Sequence, residues 1–63
     1  MKEHRKISEI IDDIYDYAAK EERNLFSVDE IVDVVGRVGM RGLINCGFLE
    51  EESQRIYRLE KRE

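Results

Sequence analysis

The spacing of the first apolar residues constrains this chain most. Ile7, Ile10, Ile11, Ile14 and Ala18 fall at i, i+3, i+4, i+7 and i+11. That is the stripe of an amphipathic helix, predicted over about His4 to Glu21. Glu9, Asp12, Asp13 and Asp16 cluster opposite the stripe, with Tyr15 and Tyr17 at its flanks. A helix with one apolar face needs a second element to cover it. Everything available for that purpose lies within 63 residues. A chain of this length folds as one small domain, 1–63, and leaves no room for a barrel, a doubly wound sheet or a deep catalytic cavity.

The cover is legible downstream. Glu21-Glu22-Arg23-Asn24 reads as a polar connection, and Leu25-Phe26 as apolar residues turned inward. Ser27-Val28-Asp29-Glu30 is a capping box that opens a second helix, with Phe26 and Ile31 placed to form a hydrophobic staple. Val28, Ile31, Val32 and Val35 share one face, and Gly36 suits the residue just past a helix end. Gly36-Arg37-Val38-Gly39 reads as a tight turn into a short third helix, Val38 to Cys46, closed by Gly47. On this helix Met40, Leu43 and Ile44 share the inner face, and Val38, Arg41, Gly42 and Asn45 the outer. Gly42 weakens it by about 1 kcal/mol relative to Ala, so it needs tertiary support.

Phe48-Leu49 begins an extended segment, Glu50 to Gln54 reads as a polar tip, and Arg55-Ile56-Tyr57-Arg58-Leu59 suits a returning strand. Residues 60–63 read as a frayed tail. The expected fold is therefore mainly α with a small β-hairpin. Its order, helix, helix, helix, strand, strand, resembles that of the winged helix-turn-helix superfamily. The residues carrying the resemblance are Leu43-Ile44-Asn45-Cys46-Gly47-Phe48-Leu49-Glu50, the charged loop, and Arg55-Ile56-Tyr57-Arg58-Leu59. They look like the end of a recognition helix running into a wing. One departure is that Gly36 to Gly47 is short for a turn plus a recognition helix. The resemblance implies DNA binding and transcriptional regulation.

Charge bears on that implication. The chain carries −4 overall, which argues against indiscriminate nucleic-acid binding. The sign is unevenly spread. Residues 1–35 hold five Lys/Arg against ten Asp/Glu, and residues 36–63 hold six against five. No acid occurs between Gly36 and Leu49, where Arg37 and Arg41 stand. Arg41 and Asn45, one helical turn apart, match the two side chains that make bidentate bonds to guanine and adenine. Val38 can meet a thymine methyl, Gly42 permits close approach, and Arg37 suits a phosphate. Gln54, Arg55 and Arg58 of the hairpin add a minor-groove or phosphate clamp. Glu50, Glu51 and Glu52 oppose it and invite cross-strand pairs with the arginines. The expected partner is double-stranded DNA, bound by a homodimer on a two-fold site.

The alternative is a protein-interaction module. It would use a basic partner at Glu9, Asp12, Asp13 and Asp16, or an apolar patch around Val34 and Val38. The bland reading of the acidic residues is a solvated helix face. Catalysis is not expected. One His, one Cys and no Thr leave no nucleophile and base near each other, and His4 is remote from Cys46 and Ser27. No cofactor or metal site is expected, since Cys46 alone supports neither a zinc site nor a disulfide. Cys46 itself reads as a small buried hydrophobe. Tyr15, Tyr17 and Tyr57 read as core residues with hydroxyls at the rim. No secretory signal is read at the start, and no run approaches the ~18 apolar residues of a membrane span. The expected location is the cytoplasm.

Overall fold

In a computed structural model, residues 6–61 are described. Two helices and a three-stranded antiparallel sheet follow in the order α1 (Ile7–Glu21), β1 (Leu25–Ser27), α2 (Val28–Asn45), β2 (Leu49–Ser53) and β3 (Ile56–Leu59). The strand order is β1-β3-β2. This is a small mixed α/β domain, which corrects the expected three helices and a hairpin.

Two local causes account for the difference. The first is at Leu25-Phe26-Ser27. These residues form a strand whose partners are Arg58, Tyr57 and Ile56 of β3. Strand alternation turns Phe26 into the core and leaves Leu25 44% exposed, so only one of the two apolar residues points inward. The second is at Gly36. The expected turn over Gly36–Gly39 shrinks to one residue, Gly36, with φ 80 and ψ 168, and α2 runs on through Arg37 to Asn45. The second helix and the expected third are one bent element with two arms.

The expected polar tip is also corrected. Glu50, Glu51 and Glu52 belong to β2, and the connection to β3 is only Gln54-Arg55. Pairing is irregular between Glu51 and Ser53, where one extra residue bulges from β2.

The core is formed by Ile10 and Ile14 of α1, Phe26 of β1, Ile31, Val35, Met40 and Leu43 of α2, Leu49 of β2 and Leu59 of β3. Ile7 heads the predicted stripe yet stays 43% exposed at the start of α1. Lys6 is the N-cap of that helix. Its expected beginning at His4 and Arg5 lies outside the described residues. Val34, read as outside the buried stripe, packs partly against the core.

Helix ends follow the chemistry at hand. Ser27 Oγ accepts from the Glu30 N–H at 3.2 Å, and the Ser27 N–H donates to Glu30 Oε1 at 3.2 Å, completing the capping box. At the other end of α2, the Gly47 N–H donates to the Ile44 carbonyl at 3.1 Å. The Phe48 N–H donates to that of Leu43 at 2.8 Å. These two bonds form a Schellman motif, with Gly47 at φ 86 in the left-handed position it requires. The motif turns the chain from α2 into β2.

Candidate nucleic-acid interface

The arm of α2 from Arg37 to Asn45 turns one face to α1 and one to solvent. Gly39, Met40 and Leu43 are buried, while Arg37, Val38, Arg41 and Asn45 are exposed. At about 100° per residue, Arg41 and Asn45 lie about 40° apart, at the centre of the outer face. The arm is helical here, and both side chains point away from the core. Arg37, Met40, Arg41, Ile44 and Asn45 line a shallow groove along this face. Ile44, expected on the inner face, stands at its border and is 37% exposed. None of the ion pairs among the described residues uses Arg37 or Arg41.

Glycines set how the arm is held. Gly39 abuts α1, and an added Cβ would lie 3.3 Å from Ile10 Cγ2 and 2.9 Å from Val35 Cβ. Gly42 is half-buried, and a Cβ there would lie 3.3 Å from Ile7 Cδ1. Its missing side chain therefore serves the packing of α1 on α2. Val38 is 84% exposed, the most open of the large apolar residues.

The hairpin arginines are differently placed. Arg58 pairs with Glu50 at 2.8 Å and Glu60 at 3.1 Å, and also with Glu52. These carboxylates, Glu60 foremost, hold its guanidinium above the usual arginine value. Arg58 is thus engaged within the sheet, through the cross-strand pairs that the run of glutamates invites. Arg55 pairs with Asp29 at the start of α2 at 3.2 Å, and its carbonyl accepts from the Val28 N–H at 3.0 Å. Gln54 is exposed beside it. The partners Asp29 and Glu60 were missed by sequence reasoning. No periodicity links residues 26 positions apart, and only the β1–β3 pairing brings Arg55 to the head of α2.

Other candidates are placed as follows. Glu9, Asp12 and Asp16 are exposed on α1, and Asp13 is half-buried. No group of three or more His, Cys, Asp or Glu suited to a metal occurs among the described residues. Cys46 is exposed at the end of α2, which corrects its reading as a buried hydrophobe. It precedes the Schellman glycine, where the chain has already left the core face. Tyr15 and Tyr17 are half-buried with hydroxyls at the rim, donating to the Glu60 carbonyl and to Glu30 Oε2. Glu60, placed by sequence in the tail, also donates its N–H to the Phe48 carbonyl at 2.8 Å. His4, Arg62 and Glu63 lie outside the described residues. No helix among the described residues is long and apolar enough to cross a membrane. Comparisons of the chain with protein-family models, curated proteins and solved structures return no match.

Proposed function

We propose that this chain binds duplex DNA through the outer face of the second arm of α2. One observation carries the reading. Arg37, Arg41 and Asn45 stand exposed together on a helical stretch that contains no acid, and neither arginine is drawn into an ion pair among the described residues. An α-helix fits the major groove, where Arg41 can bond guanine O6 and N7 and Asn45 can bond adenine N6 and N7. Arg37, at the start of the arm, is placed for a phosphate. The chain as a whole carries −4, so the phosphate backbone favours approach by this acid-free face.

The arm leads and the hairpin contributes less, because Arg58 already has three carboxylate partners. Arg37 is the one phosphate contact assigned to each copy, for a salt slope of about −0.9 per copy. Affinity from one copy is modest, and two copies on a two-fold site raise it.

Anisotropy titration of labelled duplex at two salt concentrations tests the proposal. Wild type binds at low salt and weakens as salt rises, and Arg41→Ala loses at least tenfold. Absence of binding at low salt, or an Arg41→Ala variant equal to wild type, removes it. The 84% exposure of Val38 favours a second reading, a protein partner on the same arm. That reading predicts amide shifts around Val38 with a protein ligand and none with duplex.

A further inference from the structure

Resting on the DNA reading above, we infer that the arm reads a thymine, a guanine and an adenine in that order over four base pairs, through Val38, Arg41 and Asn45. The three side chains are exposed. At about 100° per residue they fall within a wedge of about 60° on the outer face. Gly42 also falls near this side, but Ile7 covers it. The readable row is therefore short and its order is fixed by the chain.

Helix geometry sets the spacing. A rise of about 1.5 Å per residue separates Val38 from Arg41 by about 4.5 Å and Arg41 from Asn45 by about 6 Å. Base pairs in a duplex repeat about every 3.4 Å. Along the groove, Arg41 thus stands a little over one step from Val38 and a little under two from Asn45. The pattern is thymine, guanine, one unread pair, adenine, each base on either strand. The chemistry at each step is distinct. Arg41 presents a fork of donors to the two guanine acceptors, and Asn45 presents one donor and one acceptor to adenine. Val38 has no polar atom to offer a base, so its complement in the groove is the thymine methyl. An apolar side chain left 84% exposed between two arginines gains burial when such a methyl covers it.

The test selects wild-type protein against a duplex pool with a randomised six-base-pair window. It then measures affinity for the enriched duplex carrying one base analogue at a time. The enriched window should contain, in order, an A·T pair, a G·C pair, any pair and an A·T pair, each in either orientation. Replacing the guanine by 7-deazaguanine should cost wild type about tenfold, and the adenine by 7-deazaadenine a comparable factor. Replacing the thymine by uracil removes only the methyl and should cost about fourfold. Each penalty should vanish in the matching variant alone, Arg41→Ala, Asn45→Ala or Val38→Ser. A window without this pattern, or penalties that persist in the matching variants, overturns the base order while DNA binding stands. If no member of the pool is retained at low salt, the DNA reading falls and the base order with it.

Discussion

The carboxylate of Glu30 takes both guanidinium nitrogens of Arg23, so the first turn of α2 is clamped to the connection that follows α1. The same carboxylate accepts from the Ser27 N–H and the Tyr17 hydroxyl, each at 3.2 Å, and Arg23 lies 4.7 Å above the Phe26 ring. One side chain thus ties together α1, β1 and the helix cap. Arg23 first, and then the Ser27 N–H, lower the Glu30 pKa from 4.5 to about 2. A carboxylate whose folded pKa is depressed stabilises the fold above its unfolded pKa and loses that contribution as pH falls through its folded one. Thermal stability should therefore drop between about pH 4.5 and about 2. In Glu30→Gln the drop should be smaller and stability near neutrality lower. Melting curves across that range check it, and equal pH dependence in the two proteins would contradict the clamp.

Gly36 and Gly39 are intolerant of a side chain for opposite reasons. Gly36 has open space around it but sits at φ 80 and ψ 168, a region essentially closed to other residues. Gly39 has no positive φ, but its added Cβ would lie 2.9 Å from Val35 Cβ, which has no flexible end to yield. Gly36→Ala should cost about 1–3 kcal/mol through backbone strain, and Gly39→Ala about 1–3 kcal/mol through overpacking. A second change tests the backbone assignment at Gly36. Val35→Ala opens no allowed backbone region for position 36 and should not rescue Gly36→Ala. Urea unfolding of the single and double variants reads this out, and rescue of Gly36→Ala by Val35→Ala would refute the assignment.

The sequence revealed local structure better than pairing. The stripe from Ile10 to Ala18, the Ser27–Glu30 box and the breaks at Gly36 and Gly47 were legible because each is set by residues within about one or two helical turns. The strand at Leu25-Phe26-Ser27 was not, since three residues carry no period and this strand exists only because β3 pairs with it. Glu50–Glu52 read as a loop in the sequence and lie in β2 for a similar reason. Cross-strand attraction to Arg58 overrides the weak β propensity of glutamate. The outward pair Arg41 and Asn45 followed from helical phase alone. That Arg58 is occupied follows only in part, because the nearby glutamates of β2 are visible in the sequence while Glu60 reads there as tail.

Glu22 ends α1 in the left-handed region, at φ 58, where its N–H and that of Arg23 both reach the Ala18 carbonyl. This is a position that glycine fills without strain. A negative side chain at the helix C-terminus is also unfavourable to the dipole. Glu22→Gly should therefore stabilise the fold by about 1 kcal/mol, raising the melting temperature by about 4–8 °C for a domain of this size. Glu21→Gly, one residue earlier and inside the helix, should do the reverse. Calorimetry of both variants checks the pair, and a destabilised Glu22→Gly would contradict the assigned cap.

The strand order β1-β3-β2 leaves one side of β2 without a neighbour in the sheet. Such an edge is a template for pairing with another chain unless something blunts it. Here Leu49 is the only buried residue of the strand, Glu50, Glu51 and Glu52 are exposed, and the bulge before Ser53 interrupts the register. Two copies pairing antiparallel along this edge would set one carboxylate triplet against another. The glutamates therefore have two tasks: Glu50 and Glu52 hold Arg58, and the triplet keeps the edge apart from its like. Changing all three to Gln should make the weight-average mass rise with concentration in sedimentation experiments. Removing the same charge elsewhere, by Glu9→Gln, Asp16→Asn and Asp33→Asn, should not. If both variants associate alike, net charge rather than the strand edge is responsible. If the triple Gln variant sediments as wild type does, the bulge alone suffices to blunt the edge.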